Sequence, residues 1–180
     1  MQAKLIQLSR QQIQRHSYIF VIFAVAIFSA ALIGIFTRPL AYSAFFWPAN
    51  PVFLGLLIRF PRMRTASALW GAFSGYMIAD LLTGNGLALA FILTMTNFVA
   101  VLSTISILVY IQNQFKYFKD GPQIIYPYIF ALILGTLIGS TFAVNTIPYV
   151  PGTFMSKSQL LVDFTNWWSG EFLNAVIVLP

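Results

Sequence analysis

The sequence has no cysteine, a single histidine and few acidic residues: four Asp and Glu stand against ten Lys and Arg. Without cysteine the chain can form neither a disulfide framework nor a thiolate metal site, and one histidine excludes a multi-histidine site. Only 8% of the residues are charged. A soluble domain needs far more polar side chains to cover its surface, so the composition excludes that class.

Apolar residues are what the chain has in abundance. They make up 59% of its 180 positions, and the mean hydropathy is +0.81. The net charge of +6 would suit a nucleic-acid partner, but the basic residues lie at the ends of apolar segments instead of along one polar face. The sequence therefore predicts an integral membrane protein whose partner is the lipid bilayer, with no nucleic acid bound.

Six apolar segments follow one another along the chain. They predict an all-α fold, a polytopic transmembrane helical bundle of about six spans. The expected spans are residues 18–36, 40–58, 65–82, 87–111, 124–144 and 159–180. Residues 1–17 are expected to be a cytoplasmic lead-in. The whole of 1–180 is interpreted as one membrane domain, truncated at its C-terminal end because the chain is still apolar at Pro180.

The second of these spans is interrupted by two prolines, Pro48 and Pro51. In a continuous helix they would leave the carbonyls of Ala44 and Trp47 without a hydrogen-bond donor. Unpaired backbone in hydrocarbon costs several kcal/mol, so a proline-broken helix is expected to face protein at the centre of the bundle. Trp47 and Asn50 could then contact a ligand. A kinked structural helix with no ligand is the alternative.

Two spans carry stripes of small residues at every fourth position. In lipid, such stripes let two backbones approach closely, and close packing is what drives helix association there. The sequence predicts that both are packing surfaces. They are Gly71, Gly75 and Ala79 in the third span and Gly135, Gly139 and Ala143 in the fifth.

The basic residues predict the orientation of the chain. In a six-span arrangement eight of the ten fall on one side, and only Arg38 and Lys157 on the other. Positive charge marks the cytoplasmic side. We therefore expect a multi-pass protein of the bacterial inner membrane with both termini in the cytoplasm and the segments 83–86 and 145–158 outside. The eight residues are Lys4, Arg10, Arg15, Arg59, Arg62, Arg64, Lys116 and Lys119.

Acidic residues inside spans cost about 2.5 to 3.5 kcal/mol to insert, which makes each a functional candidate. Glu171 lies near the middle of the sixth span and shares a helical face with Trp167 and Asn174. We expect it in one inter-helix pocket with Trp47 or Asn50. There it would bind a polar or cationic ligand, or donate a hydrogen bond to the freed carbonyls.

Two further polar residues complete the predicted site. Asn97 of the fourth span is expected to form its third wall, and Asp80, near the outer end of the third span, is expected to be solvated at the interface. The candidate ligand-binding or signalling residues are Trp47, Pro48, Asn50, Asp80, Asn97, Trp167, Glu171 and Asn174.

Catalytic machinery is not indicated. The sequence has no nucleophile with a nearby base, no glycine-rich phosphate loop and no cluster of metal ligands. We expect neither an enzymatic activity nor a cofactor within these residues.

Two short motifs carry a family resemblance: Phe46-Trp47-Pro48-Ala49-Asn50, followed by an apolar half-helix and a basic turn with proline, and Trp167-Trp168-Ser169-Gly170-Glu171 near the end. With them, residues 45–180 resemble the first class of bacterial membrane-associated sensor domains (MASE-type). Pro51 departs from the glycine more usual in that family, and Asp80 from an asparagine-like residue. The resemblance implies a multi-helix inner-membrane module that precedes GGDEF diguanylate cyclases and some histidine kinases.

Three functions follow as hypotheses. The first is a sensory or partner-binding input domain that controls cyclic-di-GMP turnover through a cytoplasmic output domain outside these residues, with a small molecule or a membrane protein as signal and a homodimer as the assembly. The second is a substrate-binding membrane subunit of a vitamin-type uptake system, since such subunits are also short, basic and six-helical. The third is a structural membrane subunit with no ligand.

Overall fold

The computed structural model describes residues 2–37, 46–115, 123 and 125–178, with side chains from residue 11 onward. This part of the chain is helical and contains no strand, which confirms the all-α prediction. Three short 3-10 turns, Pro61–Met63, Ile147–Tyr149 and Lys157–Gln159, connect the helices. The helices are α1 (Gln2–Phe36), α2 (Ala49–Arg59), α3 (Ala66–Leu82), α4 (Leu87–Gln114), α5 (Ile125–Thr146) and α6 (Leu160–Val178).

Three helical stretches in the described residues are long and apolar enough to cross a membrane: Gln11–Phe36, Leu87–Gln114 and Ile125–Tyr149. They identify the chain as a membrane protein by length and composition. The remaining spans of the six-span arrangement stay predictions. Helix α2, the shortest of the six helices in the described residues, has 11 residues. It is about 16 Å long, roughly half the thickness of the hydrocarbon core.

The prolines stand at the start of α2. Pro48 directly precedes the helix, and Val52 N–H donates the first helical bond to the Pro48 carbonyl (2.9 Å). Pro51 is the third helical residue, where an N–H has no intrahelical acceptor in any helix. Trp47 thus precedes α2, and the proline-broken second span stays a prediction. Residues 38–45, which include Ala44 and the first part of the predicted broken helix, lie outside the described residues.

Helix α2 nevertheless lies at the centre of the bundle, in contact with α1, α4 and α6. Its Phe53 is completely buried. The ring of Phe53 packs edge-on against Phe23 of α1, with centroids 6.0 Å apart, and against Tyr76 of α3 at 6.4 Å. Phe98 of α4 completes this aromatic core at 5.3 Å. Four helices thus meet around one side chain of the shortest helix.

Both glycine stripes are packing surfaces, as predicted. A Cβ atom at Gly71 would collide with the Phe20 carbonyl oxygen, and one at Gly75 would lie 2.7 Å from the Ala24 carbonyl oxygen, so α3 packs backbone to backbone on α1. In α5, a Cβ atom at Gly139 would lie 2.9 Å from the Cα of Ala100 in α4. The bundle thus contains two closely paired helices, α1 with α3 and α4 with α5.

The predicted external loop, residues 145–158, folds back on the ends of α4 and α5. Ile147 is completely buried and Met155 nearly so. They form a second small core with Leu89, Leu93 and Ala143. This core closes one end of the bundle.

The basic N-terminal segment and the turn between α2 and α3 lie at the same end of the bundle. The Arg15 guanidinium donates to the Arg62 carbonyl (3.2 Å), and His16 Nδ1 lies 3.0 Å from Ser67 Oγ. The lead-in is not a separate segment, because α1 continues through it from Gln2. This arrangement agrees with the charge pattern, while the orientation in the membrane stays a prediction.

Reporter fusions will test that orientation. We expect a fusion at Asn85 to report an external position and one at Gln114 a cytoplasmic position, because the basic residues gather at the opposite end from the α3–α4 turn. An alkaline phosphatase fusion, active only outside, and a fluorescent protein fusion, active only inside, supply both readings. A cytoplasmic reading at Asn85 together with an external reading at Gln114 would refute the predicted topology.

Candidate functional site

A buried cluster of hydrogen-bonded side chains lies at the start of α2, and Asn50 is its centre. Its Nδ2 donates to both carboxyl oxygens of Glu171 in α6, at 2.7 and 2.8 Å. Its Oδ1 accepts from the hydroxyl of Tyr76 in α3 (2.6 Å) and from the Trp47 indole N–H (3.4 Å). Because an indole N–H can only donate, the contact with Trp47 supports this orientation of the amide. One side chain therefore connects α2, α3 and α6.

Asn174 makes a second connection between α6 and the start of α2. Its Oδ1 accepts from the backbone N–H of Trp47 (3.0 Å), and its Nδ2 donates to the Gly170 carbonyl (2.7 Å). From the sequence we expected Glu171 to donate to a freed carbonyl here. In the structure Asn174 instead accepts from a backbone N–H.

The cluster is shielded from solvent. Glu171 is 8% exposed, Asn50 5% and Asn174 3%. Among the described residues, no Lys, Arg or His hydrogen-bonds to the Glu171 carboxyl or pairs with it. A buried carboxylate without a positive partner is costly, so this carboxyl requires either a proton or a bound cation.

A small cavity adjoins Glu171 and Asn50. The apolar part of its wall comes from α2, α4, α5 and α6, and its other polar residues are Thr104 of α4 and Thr136 of α5. The space inside is about 10 Å³, room for one water-sized particle. In this conformation a vitamin-sized molecule cannot enter it.

The structure brings four of the predicted residues together: Trp47, Asn50, Glu171 and Asn174. The predicted proximity of Asn50 to Glu171 is confirmed by direct contact, while any ligand-binding role stays a prediction. Pro48 directly precedes α2 beside them.

Two predicted residues, Asn97 and Asp80, lie elsewhere. Asn97 does not line the cavity; α4 contributes Ala100, Val101 and Thr104 instead, so the prediction of Asn97 as its third wall is wrong. Trp167, one helical turn before Glu171, interacts with the Glu171 carboxyl through its side chain. Its ring also stacks on Phe154 of the 145–158 segment, with ring centroids 6.2 Å apart.

Asp80 is 2% exposed, so the prediction that it is solvated is also wrong. Its Oδ1 accepts from Asn85 Nδ2 (2.8 Å), and its carbonyl accepts from the Asn85 N–H (3.0 Å). Gly84, with φ +97°, allows the chain to turn back here. Asp80 thus closes the α3–α4 turn.

Sequence reasoning missed Tyr76, Thr104 and Thr136. Each carries a hydroxyl group in a largely apolar helix, and all three adjoin or face the glycine stripes. Tyr76 follows Gly75, Thr136 follows Gly135, and a Cβ atom at Gly135 would collide with the Thr104 hydroxyl. That proximity was a usable signal, because small residues show which face of a helix is turned toward protein. Comparison of the chain with models of protein families, with curated proteins and with solved structures gave no match.

Proposed function

We propose that this chain is a membrane-embedded sensory or partner-binding input domain of a bacterial signalling protein. In this proposal it lies in the inner membrane with its N-terminus in the cytoplasm, and controls cyclic-di-GMP turnover through a cytoplasmic output domain. The observation that carries the proposal is the buried contact of Asn50 with Glu171. The chain itself is assigned no catalytic activity and no cofactor.

Helix α6 packs on α5 and on α2, and the Asn50–Glu171 contact is a polar link between α6 and α2. Along this helix only Glu171, Asn174 and Ala175 are buried, whereas Leu161 is 77% exposed and Ile177 67% exposed. Hydrogen bonds contribute about 0.5 to 1.5 kcal/mol each, more when a partner is charged. A signal that altered this cluster could therefore shift α6 relative to α2.

Such a shift suits a sensor. A ligand or partner shifts a conformational equilibrium only when it interacts differently with the two conformations. A polar cluster that gains or loses one hydrogen-bond partner between the two conformations meets this condition. The signal in this proposal is a small molecule or a membrane protein that acts on the cluster or on the exposed face of α6. A homodimer stays a further prediction.

The cavity beside Glu171 does not support the uptake-subunit hypothesis. A vitamin-binding subunit needs a pocket that encloses an organic molecule. The cavity beside Glu171 has room for about one water. The coding sequence that follows Pro180 distinguishes the two hypotheses: a GGDEF-like or kinase domain in frame favours the sensor, and a stop codon beside transporter ATPase genes favours the subunit.

Glu171→Gln is the sharpest test of the sensor. Glutamine keeps a carbonyl oxygen that can accept from Asn50, so the bundle should fold, but it can neither ionise nor bind a cation as a carboxylate does. In the natural full-length protein we expect the basal cyclic-di-GMP level in cells to change several-fold and its response to growth conditions to flatten.

Asp163→Asn is the matched control, since Asp163 lies on the same helix and accepts only from the Ser156 N–H at an exposed position (3.2 Å). This variant should signal like wild type. Wild-type cyclic-di-GMP levels and responses in a folded, membrane-inserted Glu171→Gln protein would exclude a signalling role for the contact.

A further inference from the structure

The cavity beside Glu171 presents hydrogen-bond acceptors from two threonines. Thr104 Oγ1 donates its proton to the Ala100 carbonyl (2.8 Å), and Thr136 Oγ1 donates to the Leu132 carbonyl (2.7 Å). A hydroxyl has one proton and two lone pairs, so each of these groups can act toward the cavity only as an acceptor. Both residues line the cavity, and both are at most 3% exposed.

The carboxyl group adds to this excess of acceptors. Glu171 receives hydrogen bonds from Asn50 Nδ2 and, in the described part of the chain, has no cationic partner. Each carboxylate oxygen keeps lone-pair capacity beyond the bond from Asn50. The lining therefore combines two threonines with a carboxyl that has no cationic partner among the described residues.

This combination selects the class of ligand. An anion is excluded by the carboxyl group, and an organic amine exceeds a space of about 10 Å³. The described residues contain no group of three His, Cys, Asp or Glu that would suit a transition metal. Oxygen ligands with a single carboxylate match one hard, singly charged cation.

We propose that this cavity binds one small monovalent cation, with Na⁺ as the best fit, through the carboxylate of Glu171 and the hydroxyl oxygens of Thr104 and Thr136. The cation neutralises the carboxylate and leaves the bonds from Asn50 in place. It also joins α4 and α5 to α6, which the Asn50 contact alone does not do. The cation's use as a signal rests on the proposed sensory function, whereas its binding does not.

Thermal unfolding of the purified full chain in detergent tests the binding. Melting curves are recorded in NaCl, KCl and choline chloride at one ionic strength, with Na⁺ replacing choline stepwise. We expect a saturable rise of several °C in the melting temperature with Na⁺ and a smaller rise with K⁺, because a ligand that binds only the folded state stabilises it. Equal melting temperatures in Na⁺ and choline would overturn the proposal.

Variants place the effect in the cavity. Thr136→Val keeps the shape of the side chain and removes one oxygen ligand, so the Na⁺ concentration at half-saturation should rise about tenfold or more, as a loss of about 1.4 kcal/mol would give. Glu171→Gln should abolish the rise. Thr96→Val is the control, because Thr96 is a buried threonine of α4 that bonds to the Ile92 carbonyl (3.0 Å) and does not line the cavity.

The same Na⁺ dependence in Thr136→Val as in Thr96→Val would show that the cation binds elsewhere and overturn the assignment. Thr136→Val and Thr104→Val keep the test decisive if Glu171→Gln does not fold. None of these measurements uses an output domain. A negative result therefore leaves the signalling test of Glu171→Gln intact, and a negative signalling test leaves the binding result intact.

Discussion

Asn50→Leu is expected to lower the free energy of unfolding by about 2 to 6 kcal/mol, because two buried groups each lose a partner at a cost of about 1 to 3 kcal/mol. The substitution takes the acceptor from the completely buried Tyr76 hydroxyl and the amide donor from Glu171. Both groups stay inside the bundle, where water cannot replace the lost partner. Chemical or thermal unfolding in detergent measures the loss.

Glu171→Leu should cost less, about 1 to 3 kcal/mol, because the main loss is the acceptor of the Asn50 amide. The double variant Asn50→Leu/Glu171→Leu should be more stable than the sum of the single effects predicts, by about 1 kcal/mol or more. Removing both polar partners costs less than leaving one of them buried alone.

Asp163→Leu is the control for this comparison of the two single variants with the double variant. Asp163 is an acidic residue of the same helix, it is only partly buried, and it accepts from the exposed Ser156 N–H. It should change stability by less than about 1 kcal/mol. Additive effects of Asn50→Leu and Glu171→Leu would contradict the energetic coupling of α2 with α6 on which the proposed function depends.

Substitution of the packing glycines should have the second large effect. A Cβ atom at Gly75 would lie 2.7 Å from the Ala24 carbonyl oxygen, and one at Gly139 2.9 Å from the Cα of Ala100. Both obstacles are backbone atoms, which cannot rotate away as a side chain can. We expect each alanine variant to lose about 1 to 3 kcal/mol or more, as overpacked sites do, and each leucine variant to lose more.

Gly170→Ala is the matched control for the alanine variants, since a Cβ atom there would meet nothing within 4 Å. It should unfold like wild type or be slightly more stable, because alanine is the better helix former by about 1 kcal/mol. Melting temperatures in one detergent compare the three proteins. Unchanged melting of Gly75→Ala and Gly139→Ala would mean that α1 and α3, or α4 and α5, are not packed as closely as the structure has them.

Composition and local pattern were enough to predict the class of fold. A chain that is 59% hydrophobic and divided into apolar segments has to satisfy its backbone by forming helices in lipid. The glycine stripes and the contact of α6 with the start of α2 were also predicted from sequence. In hydrocarbon, polar side chains find hydrogen-bond partners only on another helix. Stripes of small residues let another helix pack closely, so both features indicate helix contacts.

Only the tertiary structure decided how the helices are rotated and which of them are neighbours. Pro51 falls in the first turn of α2 because that helix starts at Ala49, directly after the Trp47 N–H donates to Asn174 of α6. Likewise, Thr136 rather than Asn97 lines the cavity because α5 packs closely on α4 and turns that face inward. The rotation of each helix and its neighbours depend on contacts between residues far apart in the chain. A helix that is apolar all round has no single apolar face, so its sequence does not show which side is turned toward the bundle.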